Sequence, residues 1–407
     1  MSRFLSAGQD THSGPRDFKI AILRHKASIP TLLHLESKQG TIPRSEECRG
    51  ALENPKSAKR RVLIFAYQSK PYWFFKHLAE FDLTVDGAPI PQGVAQRVIL
   101  DTIIRITRSW KSWFSYDFII SVGFLRGSLV SIALKIHAKF GFRTPEHVVI
   151  SIGGALWPRQ FQSIVGRLMR DSVFVCFTSA ERNILMRQFG LERVSFVPYG
   201  VDVNYWAPSA CHREYVFSGG MSSRDYSTFF TAVRSIHFRF IVAAGKDPLT
   251  GRMGFKREEI PPNAEVYYDV STSKFRELLS NCLFVVLPLR ETEHSSGHTV
   301  LVQASACGKA VISSRVVGTI DYLEEGKTGF FVKPGDHREL SETIRYLLNH
   351  RETCAVVGTN ARILASEKFS EIALANSFST IIRQIESHKD CEGRFPRRRR
   401  QVRGKAQ

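Results

Sequence analysis

Short apolar runs, rich in β-branched residues and separated by stretches long enough for a helix, recur along this chain. In its first half they begin at Arg61 (Arg-Val-Leu-Ile-Phe-Ala), Asp117, His147 and Ser172. Strands that are apolar on both faces are typical of parallel sheets covered by helices on either side. The pattern therefore predicts an α/β fold built on a parallel sheet.

The same alternation restarts after Pro208. New apolar runs begin at Tyr215, Phe238, Glu265, Cys282, Ala310 and Gly329, and helices are predicted near 225–236 and over 272–280, 300–307 and 337–348. One hydrophobic core stops growing near ~250–300 residues, so a chain of 407 residues is expected to form two domains. We predict two Rossmann-like, doubly wound parallel-sheet domains that face a central cleft, where ligands bind outside the carboxyl ends of the strands.

The periodicity also predicts the domain boundaries. Residues 1–58 are weakly periodic and are interpreted as a variable or disordered leader. The N-terminal domain is expected over 59–202 and the C-terminal domain over 203–369. An amphipathic helix over 370–390 could pack on either domain, and 391–407 is predicted to be a basic disordered tail.

The net charge of +19 constrains the partners. Such a surplus attracts polyanions, namely nucleic acid, an anionic membrane surface or phosphorylated small molecules. Part of it lies in the tail, as Arg394, Arg397, Arg398, Arg399, Arg400, Arg403 and Lys405. The rest of the chain stays basic without these seven charges.

Cysteine usage and hydropathy bear on location. The seven cysteines lie far apart with no Cys-x-x-Cys pair, so neither a zinc site nor a disulfide framework is predicted. The N-terminus has no apolar segment of signal-peptide length. The longest apolar stretch, 118–136, is interrupted by Arg126 and Lys135 and falls short of ~18 uninterrupted apolar residues, so no transmembrane helix is predicted. We expect a cytoplasmic protein whose membrane contact, where it occurs, is peripheral.

A glycine pair follows the first strand of the second half. Gly219 and Gly220 let the backbone approach a phosphate closely, and the helix expected near Asp225 begins with unpaired N–H groups and a positive dipole. Arg224 adds forked donors that suit phosphate oxygens. The segment is interpreted as a phosphate loop, with a glycine turn beside a solvated arginine as the plainer alternative.

A second polar loop opens the helix expected near residue 300. Its small residues include Ser296 and Gly297, followed by His298 and Thr299. The Thr299 hydroxyl can donate to a phosphate oxygen, and the Gln303 amide lies where it can reach a ribose hydroxyl.

Here the chain resembles the retaining GT-B glycosyltransferases of glycosyltransferase family 4, also called group 1. Three segments of the sequence show this resemblance. Residues 197–208 (Val-Pro-Tyr-Gly-Val-Asp-Val-Asn-Tyr-Trp-Ala-Pro) are similar to that family's interdomain junction, and 219–224 take the place of its phosphate loop, with Arg224 where a lysine is usual. Residues 303–312 (Gln-Ala-Ser-Ala-Cys-Gly-Lys-Ala-Val-Ile) are similar to its Glu-Ala-Met-Ala-x-Gly-x-Pro-Val-Ile segment, and 321–336 continue that motif.

The resemblance implies a hexosyltransferase-like enzyme of polysaccharide biosynthesis that uses a nucleotide-sugar donor and a glycan, lipid-linked or small-molecule acceptor. It implies retention at the anomeric carbon, with no metal and no cofactor. Arg224 would stabilise the departing diphosphate, assisted by amides near Gly220 and over 296–298. The N-terminal domain would bind the acceptor.

The chain departs from the family pattern at two motif glutamates, whose places are taken by Ser295 and Gln303. Glu291 or Glu293 could substitute for the first of them, or be solvated loop acids. Lys246 is a second cation near a strand end and a candidate for donor binding, with a surface lysine as the alternative.

In the N-terminal domain, His137, His147 and the Gly153-Gly154 turn are candidate cleft residues. No catalytic base is assigned.

Two other functions stay open. The charge and the arginine-rich tail fit a nucleic-acid-binding protein, although no helix-turn-helix, zinc or aromatic-repeat signature accompanies them and nucleic acid is not the expected partner. The loss of both motif glutamates also fits a GT-B protein without transferase activity. The sequence does not identify the base, the sugar, the acceptor or the oligomeric state.

Overall fold

A computed structural model describes residues 59–66, 73–87, 95–152, 158–211, 213–247 and 251–394. The predicted leader over 1–58 lies outside the described residues, and so does the tail beyond 394. The predicted fold class is confirmed, because two six-stranded sheets, each parallel throughout, carry helices on their faces.

The first sheet has the strand order β2-β1-β3-β4-β5-β6. Its strands are β1 (Arg60–Ala66), β2 (Phe81–Gly87), β3 (Phe118–Val122), β4 (Glu146–Ile150), β5 (Val173–Cys176) and β6 (Val194–Phe196). All five residues of β3 are buried, as a strand covered on both faces requires. The two edge strands, β2 and β6, were not predicted; their residues are more exposed and lack a continuous apolar run.

Four helices cover one face of this sheet: α1 (Ala95–Ser109), α2 (Phe124–Lys139), α3 (Arg159–Met169) and α4 (Ser179–Arg187). Alternate side chains of β1 point to opposite faces of the sheet. Leu63 and Phe65 pack toward α1 and α2, whereas Val62 and Ile64 pack on the opposite side. The sheet is therefore a buried middle layer, with its loops gathered at the carboxyl ends of the strands.

The second sheet has the order β12-β11-β10-β7-β8-β9. Its strands are β7 (Val216–Gly220), β8 (Phe240–Ala244), β9 (Ala264–Tyr268), β10 (Val285–Leu287), β11 (Val311–Ser314) and β12 (Phe330–Val332). The helices are α5 (Tyr226–Val233), α6 (Thr272–Asn281), α7 (His298–Ala306), α8 (His337–Asn349) and α9 (Arg351–Lys368). The sequence had predicted all of these except α9.

The last helix, α10 (Glu371–Arg394), returns to the first sheet. Its buried side chains, which include Leu374, Phe378 and Ile382, join the same core cluster as Val62 and Ile64. The sequence left open which domain this helix contacts, and the packing on the first sheet answers that question. The helix runs to Arg394, beyond the predicted start of the basic tail at 391.

The two halves of the chain are joined by two neighbouring backbone segments. The Val201 N–H donates to the Phe369 carbonyl at 2.9 Å, and the Glu371 N–H donates to the Val201 carbonyl at 3.0 Å. Gly200 lies so close to this pairing that a Cβ there would be 2.5 Å from the Ser370 carbonyl oxygen. The outgoing and returning segments are therefore bonded to each other.

No helix in the part of the chain that the structure describes combines the length and apolar character needed to cross a bilayer.

Candidate functional site

The predicted phosphate loop follows β7. Gly220 ends the strand with φ +118°, a backbone conformation that L side chains rarely adopt, and a Cβ there would be 2.2 Å from Arg224 Nη2. Asp225 caps α5 by accepting from the Thr228 N–H at 3.3 Å. The glycine is required because the Arg224 side chain folds back over the loop.

Arg224 is the central charge of this loop. Only 5% of it is exposed. Its Nε donates to the Gly219 carbonyl at 2.8 Å and its Nη1 to the Ser222 carbonyl at 2.9 Å. No described carboxylate forms an ion pair with it, and burial lowers the pKa of the guanidinium. An arginine stays charged in proteins. Arg224 is therefore a buried cation whose hydrogen bonds go to backbone carbonyls of its own loop.

The second predicted loop lies against the first. Gly297, with φ +94°, precedes α7, and the Ser296 hydroxyl donates to the same Ser222 carbonyl that Arg224 contacts, at 3.3 Å. Ser223 Oγ and His294 Nε2 are 2.9 Å apart. The two glycine-containing loops, predicted from separate segments, therefore share hydrogen bonds.

The loops enclose a cavity of about 430 Å³. It brings together seven of the predicted residues: Gly220, Arg224, Ser296, Gly297, His298, Thr299 and Gln303. Ser295, the residue in place of a motif glutamate, also lines it. This cavity lies at the carboxyl ends of β7 and β8, where ligands of doubly wound sheets bind.

Three other predicted donor residues do not reach the cavity wall. Gly219 lies under it, because a Cβ there would be 2.7 Å from the Phe275 ring, and its carbonyl holds Arg224. Lys246 is exposed just beyond β8. Glu293 is exposed and pairs with Arg159 at the start of α3.

His298 occupies the first turn of α7. Its ring stacks on Tyr322, with centroids 5.6 Å apart, and contacts the edge of Tyr199 at 5.3 Å. Burial, followed by the charge of Arg224, lowers the pKa of His298 to about 4. The ring is therefore neutral at neutral pH, and its buried Nδ1 has no hydrogen-bond partner among the described residues.

The apolar part of the cavity wall was not predicted. It includes Trp206, Val270 and Phe275, and Asp269 and Thr272 at the start of α6 also line the cavity. Asp269 has φ +47°, which places a strained residue at the rim. The only available signal was that β8 and β9 end near this point, and the sequence alone does not give the order of strands in a sheet.

The first domain contacts the loop that precedes α7 and the segment at Asp321 and Tyr322. Ser295 Oγ is hydrogen-bonded to Thr178 Oγ1, and Asp321 accepts from the Ser179 N–H at 2.8 Å and the Ser179 hydroxyl at 2.7 Å. The Tyr322 hydroxyl donates to the Phe177 carbonyl. The start of α4 is thus held by polar groups from the second domain.

The predicted cleft histidines of the first domain lie elsewhere. His147 is buried near the amino end of β4, opposite the cleft, where it contacts the hydroxyls of Ser121, Ser131 and Ser172. His137, in the last turn of α2, is packed among the rings of Trp110, Trp113 and Phe142. Both are structural residues. The Gly153-Gly154 turn lies outside the described residues.

Comparison with known proteins bears on the second domain most directly. Residues 241–364 match the family model described as glycosyl transferases group 1. The chain is 32% identical over 91 residues to the capsular polysaccharide biosynthesis glycosyltransferase CapM of Staphylococcus aureus, covering 21% of this chain and 24% of that protein. It is 30% identical over 125 residues to the N,N'-diacetylbacillosaminyl-diphospho-undecaprenol alpha-1,3-N-acetylgalactosaminyltransferase of Campylobacter jejuni, covering 30% of this chain and 31% of that protein. These matches span less than a third of the relatives' own lengths.

Solved structures resemble both domains. Sucrose-phosphate synthase from Thermosynechococcus elongatus aligns with a TM-score of 0.65 at 13% identity, over 81% of this chain and all of that one. Anabaena HepE, solved in complex with UDP and glucose, aligns with a TM-score of 0.59 at 16% identity, over 81% of this chain and 99% of that one. At such identities the likeness concerns the fold. The described residues therefore have the two-domain GT-B fold of these solved structures, and segment 241–364 matches the family model of the group 1 glycosyl transferases.

Proposed function

We propose that this protein transfers a sugar from a nucleoside-diphosphate donor to a glycan, lipid-linked or small-molecule acceptor, with retention at the anomeric carbon and without a metal. One observation carries the proposal. The buried Arg224 guanidinium, which no described carboxylate pairs, lies on the wall of a cavity that also receives the start of α7.

Burial lowers the pKa of Arg224 and outweighs the charge of Asp247, which favours the charged form of this guanidinium. An anion that enters the cavity offsets the remaining cost of burying the cation. The first backbone N–H groups of α7 point toward the same space, and a helix N-terminus favours negative charge. A pyrophosphate satisfies both groups. As the bond to the sugar breaks, charge accumulates on the leaving diphosphate, and fixed donors stabilise it without reorganising.

The remaining walls suit a nucleoside. The apolar part of the wall, with Val270 and Phe275, can hold a flat base, and the Gln303 amide can donate to and accept from ribose hydroxyls. The volume of about 430 Å³ lies in the range of ~300–1,000 Å³ that is usual for small-molecule sites. HepE was solved with UDP and glucose, which supports a uridine donor as the first candidate.

The names of two matched relatives support a polysaccharide or a lipid-linked sugar as the acceptor. One acts in capsular polysaccharide biosynthesis and another on an undecaprenol-linked sugar. We place the acceptor between the two domains, next to Ser295 and the start of α4, because polar groups of both domains meet there.

The direct test uses the purified full chain and a panel of UDP-, GDP- and ADP-sugars, with release of the nucleoside diphosphate as the readout. We expect one base to be preferred and turnover to persist in EDTA. Thermal melting with each free diphosphate separates binding from chemistry, since a ligand at 100 times its Kd stabilises by about 2.7 kcal/mol. A shift without turnover favours a binding protein that has lost activity, and no shift with any diphosphate contradicts the proposal.

A glycine behind the α7 loop offers a sharper test of the site. A Cβ on Gly318 would be 2.0 Å from the Ser296 carbonyl oxygen and 2.4 Å from its nitrogen, so Gly318→Ala must displace that backbone. We expect diphosphate binding to weaken at least about tenfold, together with a stability loss of about 1–3 kcal/mol. Isothermal titration with the preferred diphosphate measures the first effect.

Gly358→Ala is the matched control, because its Cβ would be 2.2 Å from the Gly308 carbonyl oxygen, away from the cavity. It is expected to lose similar stability and to keep the wild-type affinity. If both variants bound the diphosphate with equal affinity, the Ser296 loop would have no part in ligand binding.

A further inference from the structure

The exposed apolar side chains of this protein are concentrated on one surface. Of the 19 large apolar residues exposed in the described part of the chain, 12 lie between Leu100 and Leu168. Single exposed apolar residues are normal, whereas a contiguous group marks an interaction surface.

These residues form helical stripes on three neighbouring helices. The outward stripe of each helix is Leu100, Ile103 and Ile104 on α1, Ile132 and Ile136 on α2, followed by Phe140, and Phe161, Ile164 and Leu168 on α3. The spacings of three, four and seven residues place each set on one side of its helix. Helix α2 contacts both α1 and α3, so the three stripes are adjacent. We call this surface the α1–α3 face.

The second domain shows what an ordinary solvent-facing helix looks like in this fold. The exposed positions of α8 are His337, Arg338, Glu339, Glu342, Arg345 and Asn349. All of them are polar or charged. Helix α9 does expose two apolar residues, Val356 and Ile363. What distinguishes the α1–α3 face is that three adjacent helices each carry an exposed apolar stripe.

The unpaired charges of the α1–α3 face are positive. Four exposed cations, Arg108, Lys111, Lys139 and Arg167, form no ion pair with a described carboxylate.

The acids of the same region are paired with cations. Asp101 is paired with Arg105 and Arg126, Asp117 with Arg143, and Glu146 with Arg193; their side chains are at most 28% exposed. Asp171, directly after α3, is 72% exposed and pairs with Lys135 and Arg170.

We propose that the α1–α3 face docks on an anionic lipid bilayer, with the apolar stripes entering the interfacial region and the cations contacting headgroups. Apolar residues flanked by Lys and Arg are the combination that interfacial helices use. A second copy of this chain is a poorer occupant, because a two-fold contact brings the same cations face to face. Docking does not depend on the transfer reaction.

The location of α3 gives this face a role beside the site. Its first residue, Arg159, pairs with Glu293, two positions before Ser295 at the cavity wall. A bilayer on this face therefore lies next to the edge of the cleft, where a lipid-linked acceptor would enter.

The test is co-sedimentation of the full chain with vesicles of phosphatidylcholine alone or mixed with phosphatidylglycerol. We expect binding to the mixed vesicles. The double variant Ile136→Ser and Ile164→Ser, at positions 45% and 55% exposed, is expected to lower the partition coefficient about tenfold or more. Lys139→Glu with Arg167→Glu is expected to abolish the preference for the anionic lipid.

The matched control is Ile363→Ser with Ile372→Ser, at 52% and 58% exposure outside the face, which is expected to bind as wild type. All variants are exposed-site changes, so melting temperatures check that they fold. Binding that responds to the charge changes but not to Ile136 and Ile164 would assign it to nonspecific attraction, for example by the arginine-rich tail, and overturn the proposal. The proposal would also be overturned if the wild-type protein bound no vesicles and the serine variants lost the ability to dimerise.

Discussion

Replacing Arg224 with alanine is expected to lower kcat/KM for sugar transfer by about 10²–10³-fold, the range for removing one donor to a developing oxyanion. The guanidinium is buried on the cavity wall and no described carboxylate pairs with it. Its remaining N–H groups are therefore available to a diphosphate. Steady-state transfer with the preferred nucleotide-sugar measures the effect.

Arg224 also supports its own loop through the Gly219 and Ser222 carbonyls, so a second variant separates the two roles. Arg224→Lys keeps the charge but loses the forked geometry, and we expect an intermediate rate. Lys246→Ala removes an exposed cation outside the cavity and is expected to leave the rate unchanged. A wild-type rate in Arg224→Ala would remove this residue from the mechanism. A fall fully explained by a lower melting temperature would assign it to loop structure.

The second large effect concerns stability. Phe378 of α10 is fully buried, and its ring lies 5.2 Å from that of Phe74 and 6.5 Å from that of Phe75. Phe378→Ala is expected to destabilise the first domain by about 3–5 kcal/mol, because it removes a ring from the contact between α10 and the sheet and leaves a cavity. Urea unfolding followed by circular dichroism measures the change.

Ile372→Ala, on the same helix but 58% exposed, is the control and is expected to change stability by less than about 0.5 kcal/mol. Similar unfolding midpoints for the Phe378 and Ile372 variants would mean that α10 adds little to the first core.

The sequence predicted the buried strands because a strand covered on both faces is apolar without interruption. Val62 to Ala66 is such a run, and Phe118 to Val122 is interrupted only by Ser121. The edge strands β2 and β6 carry weaker signals, because one side of each is open to solvent. The partner of α10 was not predictable, since an amphipathic helix shows that one side is buried but not against which sheet.

The candidate site likewise contains some residues that the sequence predicted and others that it did not. Gly220 and Gly297 were predictable because backbone conformations with positive φ require glycine, and each precedes a helix. Phe275 and Val270 were not, because apolar residues in a binding wall look like core residues in a sequence. Lys246 and Glu293 illustrate the converse: position beside a strand end or a motif does not determine where a long side chain points.

The paired backbone segments at Val201 and Ser370 limit how the two domains can move. Two crossing segments that are hydrogen-bonded to each other can act as a single hinge, so we expect the domains to rotate about it rather than slide apart. Tyr322, which accepts from the Tyr199 N–H at 2.9 Å, would then lie close to the axis. Opening would separate the exposed side chains of Arg159 and Glu293 and give substrates a route in and out while both sheets stay intact.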